Sequence, residues 1–114
     1  MEKQIKIYIS GKITGMEKEA AELFAKAEQT LIVKKFSPVN PMNLSHLHDK
    51  KWESYMKECL TVMLQCDGLY MLSNWQESEG ALIEWRLAKR LNMPIMYEQP
   101  YFTTPESFIP EFGC

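Results

Sequence analysis

Gly68-Leu69-Tyr70-Met71-Leu72 is an unbroken apolar run of strand length. A strand with one wet face alternates apolar and polar residues, whereas a strand covered by helices on both faces is apolar throughout. The run therefore predicts a strand in the middle of a sheet that lies between two helical layers. On its N-terminal side, Trp52, Met56, Cys59, Leu60 and Met63 recur at helical spacing and predict an amphipathic helix ending near Cys66. On its C-terminal side, a polar loop from Ser73 to Glu79 leads into a helix from about Gly80 to Leu91. Asn92 and Pro94 supply its stop, and Ile95 to Tyr97 make a further strand.

Further out, Gln4 to Ser10 read as a strand, because Ile5, Ile7 and Ile9 alternate with Lys6 and Tyr8, and the run ends at Gly11. From Glu17 to Ile32 the period changes: Ala20, Phe24, Ala27 and Leu31 share one helical face. Phe36 to Val39 is a short strand closed by Asn40 and Pro41, since proline cannot donate to a ladder. Strands alternating with helices in this way predict an α/β fold, a Rossmann-like (flavodoxin-like) three-layer sandwich with a parallel sheet of four to five strands. Such sheets bind ligands beyond the carboxyl ends of their strands, so the loops after Ser10, Val39 and Leu72 are expected to share one crevice. Asn40 and Trp75, in the second and third of these loops, thereby become candidate binding residues. The domain is expected to span residues 1–98. The tail, 99–114, mixes Pro100, Pro105 and Pro110 with Tyr101, Phe102, Phe108 and Phe112 and has no period, which suggests a segment packed on the core or on a neighbouring subunit.

The chain has 114 residues, enough for one core, and its 46% hydrophobic and 25% charged residues are those of an ordinary globular domain. A net charge of -2 gives no electrostatic reason to bind a nucleic-acid polymer or an anionic membrane, both of which call for clustered Lys and Arg. Three cysteines, Cys59, Cys66 and Cys114, without paired spacing argue against a disulfide framework and for a reducing compartment. No signal-peptide pattern opens the sequence and no apolar stretch approaches the ~20 residues that span a bilayer, so a cytoplasmic location is expected. His46, His48 and Asp49 suggest a metal, but one HxH lacks the second ligand cluster of a closed site, and no metal or cofactor is expected.

Glu84 is the residue that periodicity singles out. It lies three residues after Ala81 and four before Ala88, on the face marked by Ala81, Trp85, Ala88 and Leu91. A carboxylate on an apolar face needs a partner or a task, because burying it ionised and unpaired costs several kcal/mol. Both readings stand at this point: a structural ion pair, with Arg86, Lys89 or a residue on another element as partner, or catalysis. Gly11-Lys12-Ile13-Thr14-Gly15 joins the first strand to the first helix, and its backbone amides, with Lys12 and the Thr14 hydroxyl, could hold an anion. It matches neither GxGxxG nor the P-loop pattern and reads equally as a tight turn. Ser78, followed by Gly80, has the chemistry of a helix cap.

Taken in order, Tyr8-Ile9-Ser10-Gly11-Lys12-Ile13-Thr14-Gly15, then Asp67 to Leu72, then Ser78-Glu79-Gly80-Ala81-Leu82-Ile83-Glu84 resemble the nucleoside 2-deoxyribosyltransferase superfamily. The similarity is greatest to its deoxynucleoside monophosphate N-glycosidase branch and to short relatives, and runs from about Ile5 to Tyr97. The resemblance implies that Glu84 attacks the anomeric carbon of the sugar and displaces the base, giving a glycosyl-enzyme that water or a second base resolves. It implies that Tyr8 helps to position this nucleophile and that Gly11 and Gly15 form the phosphate-side turn. Ser78 stands where transferases of free nucleosides carry an aspartate and the monophosphate hydrolases a serine, which implies a nucleotide as the small-molecule partner. Homodimers or larger homo-oligomers are implied too, since the family completes its sites across subunits. Two departures are specific. Cys59, beside Glu58, occupies the place of the aspartate that serves proton transfer to the leaving base, and Thr14 that of an arginine. A binding or sensing module with weakened catalysis is therefore the alternative to an N-glycosidase or transferase.

Overall fold

The structure, a computed structural model, describes residues 4–98. Four strands, β1 (Lys6–Ser10), β2 (Ser37–Val39), β3 (Gly68–Met71) and β4 (Ile95–Tyr97), alternate with three helices, α1 (Glu17–Val33), α2 (Trp52–Met63) and α3 (Glu79–Arg90). All strand pairs are parallel, and the order across the sheet is β2-β1-β3-β4. The Rossmann-like, flavodoxin-like architecture read from the sequence is the one observed, with four strands. The proposed tail over 99–114 lies outside the described residues.

The chain runs outward from β1 to β2, then crosses back past β1 to β3 and on to β4. Because parallel crossovers share one hand, that reversal places α1 on one face and α2 and α3 on the other. Two apolar clusters record the result. Ile7 and Ile9 pack with Ala20, Phe24, Ala27 and Leu31 of α1, while Tyr8, Leu69 and Met71 pack with Met63 of α2 and Ala81 and Ala88 of α3. The switch in direction falls between β1 and β3, and the crevice of such a sheet opens there, above the carboxyl ends of these two strands.

Three local expectations change. The alternation in β1 marked Tyr8 as the polar side of a strand, yet residues Ile7 to Ser10 are all buried, because β1 is central and covered on both faces. The apolar stripes of α2 and α3 are shorter than their spacing suggests: Trp52 and Leu91, at the far ends of the two helices, are exposed. Ile5, ahead of β1, is exposed as well. Two short 3-10 turns, Pro41–Asn43 and Trp75–Glu77, occupy the loops after β2 and β3. Among the described residues no helix is long and apolar enough to cross a membrane.

Candidate functional site

Gly11 ends β1 because nothing larger fits there. A Cβ at this position would lie 2.6 Å from Leu72 Cδ1 and 2.9 Å from Leu72 Cβ, so the absent side chain lets the loops after β1 and β3 cross closely. The next residue is tied to the same neighbour loop, the Lys12 amide donating to Asn74 Oδ1 at 3.1 Å. Across the crevice α3 begins at Ser78, whose Oγ accepts from the Ala81 amide at 3.1 Å as an N-cap. This cap sets the rotation of α3, and that rotation turns Ala81, Glu84 and Ala88 inward.

Glu84 is 5% exposed. Its carboxylate accepts from Ser10 Oγ at 2.6 Å and from Tyr8 Oη at 2.8 Å. Both partners are neutral hydroxyls, and among the described residues Glu84 forms no ion pair, so the structural salt bridge to Arg86 or Lys89 is absent. Burial disfavours the ionised form and outweighs the two hydrogen bonds that favour it, which pushes the carboxyl up to about 7. Tyr8 is held well above its usual range by burial and by the charge of Glu84, and remains a donor. Cys59, beside the Tyr8 hydroxyl, is pushed up by burial to about 11 and stays a neutral thiol. Glu84 is thus a carboxyl that titrates near neutrality between groups that do not.

The carboxyl group stands on the wall of a cavity of about 690 Å³, within the usual size range of small-molecule sites. Tyr8 and Gly11, Lys12, Ile13 and Thr14 line one side, and Ser78, Gly80 and Glu84 line another. The expected residues that lie off this wall have other work. Gly15 holds a left-handed turn (φ +84) with open space around it. Asn40 is buried and its Oδ1 accepts from the Met42 amide, capping the first 3-10 turn. Trp75 lies in the core, its ring 5.1 Å from that of Trp85 and 6.1 Å from that of Tyr97.

Ser10 and Tyr55 were not read from the sequence as contributors. Ser10 is two residues beyond Tyr8 on the same strand, so the period of two already puts both hydroxyls on one face. The third side of the cavity comes from the α2 region and includes His46, Tyr55 and Cys59.

The family profile described as a domain of unknown function (DUF4406) matches residues 5–97, and so covers the whole described sheet and its helices. The chain belongs to the DUF4406 family. No curated protein matches it. Among solved structures, this DUF4406 chain is similar to the 2-deoxyribosyltransferase of the psychrotolerant bacterium Bacillus psychrosaccharolyticus, with 21% identity and a TM-score of 0.67 over 91% of this chain and 79% of that one. That likeness shows a shared fold, the fold implied by the resemblance.

The DUF4406 chain also gathers His46, His48 and Glu58, whose potential ligand atoms lie within 4.8 Å of one another. Asp49, the third residue of the metal reading, instead braces the turn that leads into α2, accepting from Ser54 Oγ at 2.6 Å and the Lys51 amide at 3.0 Å. Glu58 takes its place. The trio fits a hydrogen-bond network better than a metal. The Lys50 amide donates to His48 Nδ1 at 3.0 Å, which assigns the His48 proton to Nε2, facing Glu58 Oε1 at 3.2 Å. A metal on Nε2 would move that proton to Nδ1, against the Lys50 N–H, whereas metal-bound imidazoles give their second N–H to an acceptor.

Proposed function

We propose that this chain cleaves or exchanges the N-glycosidic bond of a deoxynucleoside 5'-monophosphate, with Glu84 as nucleophile. The observation that carries this reading is a buried carboxyl group on a cavity wall, held by two hydroxyls and, among the described residues, unpaired with any cation. An ion-paired carboxylate would be a weak nucleophile. One raised to about 7 by burial keeps both its reactivity and a substantial ionised fraction at neutral pH. In the first step a Glu84 oxygen bonds to C1' of the sugar as the C1'–N bond breaks and its electron pair leaves with the base. In the second, water or another base bonds to C1', and the ester electron pair returns to Glu84.

The phosphate is assigned to the end of the cavity where the amino terminus of α3 faces the loop after β1. Helix amides and the positive end of the dipole favour an anion there. The Ser78 oxygen is engaged in the cap, which leaves its hydroxyl proton to donate. Lys12 is the one Lys or Arg on the wall among the described residues, and its Nζ rests 3.8 Å from Glu77 Oε1. Exposed pairs of this kind are weak enough to yield to a phosphate.

Incubation with a panel of deoxynucleosides and their monophosphates, followed by chromatography of free base, tests the reading. Base release that is faster from monophosphates and abolished by Glu84→Gln is expected; release that persists in the variant would overturn Glu84 as nucleophile. Cys59 supports a second reading. A thiol raised to about 11 is a poor replacement for a carboxylic acid, which favours a nucleotide-binding module with little turnover.

A further inference from the structure

From the geometry around Glu58 we infer that His46 is the proton-transfer residue of this site, giving its Nε2 proton to the leaving base and recovering one from the incoming acceptor. The inference rests on the glycosyl reading above and supplies what Cys59 cannot.

The backbone at His46 is left-handed, with φ +54, a conformation that a residue with a side chain holds only where its surroundings enforce it. Glu58 does the enforcing. Its Oε2 accepts from the His46 amide at 3.0 Å, and its Oε1 lies 2.6 Å from His46 Nδ1. One carboxylate thereby fixes both the main chain and the ring. Burial raises Glu58, but the hydrogen bonds from His46 and His48 prevail and hold it below the usual carboxylate range, so it is ionised at neutral pH. An ionised carboxylate on Nδ1 assigns a proton to that nitrogen. Nε2 is left as the atom that gains or loses a proton, and it has no hydrogen-bond partner among the described residues.

His48 cannot take this role, because both of its ring nitrogens are occupied, Nδ1 by the Lys50 amide and Nε2 by Glu58. His46 lines the cavity that holds Glu84, and Glu58 does not. The other groups facing His46 are the ring of Tyr55, 5.1 Å away between centroids, and the Lys50 ammonium, which donates to the His46 carbonyl oxygen. A carboxylate behind an imidazole that faces a reaction cavity is the arrangement that orients a histidine for acid-base work.

Protons balance over the cycle. As C1'–N breaks, the Nε2 proton passes to the departing base, which leaves neutral, and His46 becomes neutral. As water or a second base attacks C1', its proton returns to Nε2.

The test compares natural deoxynucleoside monophosphates with 4-nitrophenyl 2-deoxyribofuranoside 5-phosphate, whose leaving group departs as an anion and needs no proton. The variant is His46→Asn, since asparagine accepts a left-handed backbone. Base release from the natural substrates is expected to fall by about 100-fold to 10,000-fold, and nitrophenolate release by less than about 10-fold. Glu58→Gln, which keeps an acceptor but loses the charge, is expected to show the same discrimination with a smaller loss; as a positioning residue it acts only through His46. Equal losses on both substrates, or no loss on either, would overturn the inference while leaving the glycosyl reading intact. A wild-type chain that releases nothing from any of these substrates overturns that reading, and this inference with it.

Discussion

At Glu84, burial and hydrogen bonding act in opposite directions, and burial prevails. The consequence reaches the stability of the fold, because the group then titrates at different pH in the folded and unfolded chain. Unfolded, it releases its proton near 4.5; folded, near 7. Between those values the native state holds a proton that the unfolded state has lost, so the free energy of unfolding falls as pH rises through this window. The stabilising contribution is complete below about 4.5 and gone above about 7. Its size is on the order of 3 kcal/mol. Asp49 and Glu58 are held below their ordinary range, Asp49 first by the Ser54 hydroxyl and Glu58 by the two histidines against its own burial, so they titrate beneath the window. Glu84→Gln is neutral at every pH, and the hydroxyls of Tyr8 and Ser10 can rotate to meet its amide. Thermal melts from pH 5 to pH 8 are expected to show the wild type losing on the order of 10 °C while the variant loses less than half as much. Parallel curves would mean that Glu84 does not change its protonation between pH 5 and pH 8, against a carboxyl that titrates near 7.

Helix α3 shows what a sequence can and cannot reveal about an element. Its extent and the inward face at Ala81, Glu84 and Ala88 were legible from periodicity, and its stop from Asn92 and Pro94. The partners of Glu84 were not legible from periodicity, since Tyr8 and Ser10 lie 76 and 74 residues away and only the β1-β3 pairing brings them near; the resemblance implied Tyr8 but not Ser10. Ser78 was legible as a cap, but a cap and a phosphate ligand use the same hydroxyl, one through its oxygen and the other through its proton. Substitution separates the two uses. Ser78→Asp keeps an N-cap oxygen and suits the helix dipole, so stability is expected to stay within about 0.5 kcal/mol of the wild type. The added charge faces the cavity and opposes a phosphate. KM for a deoxynucleoside monophosphate is therefore expected to rise at least ~10-fold relative to that for the free nucleoside. Ser78→Ala, by contrast, is expected to cost about 1 kcal/mol of stability. If Asp and Ala affect KM alike, Ser78 has no contact with phosphate.

Over the whole molecule, the parallel sheet followed from alternation, but the cavity did not. Its third side depends on the segment between β2 and α2, where turn-forming residues carry no period, and His46 reaches the wall only because Glu58 on α2 holds it there. Asn40 and Trp75 show the converse: both sit in loops at the correct end of the sheet, yet a 3-10 turn consumes one and the core claims the other. A ligand in this cavity would touch β1 and its following loop, the β2-α2 segment and α3 together, elements far apart in sequence. Unfolding any of them destroys the site, so occupancy should stabilise the fold as a unit, by about 2.7 kcal/mol when the ligand is at 100 times its Kd. Glu84→Gln is the form to use, because turnover would consume the ligand. With a saturating deoxynucleoside monophosphate its midpoint is expected to rise by on the order of 10 °C, more than with the free nucleoside. The same rise in a wild type that releases no base would favour the binding module, since the cavity would then recognise a nucleotide without breaking its glycosidic bond. No rise with any of these ligands would leave both readings without a substrate.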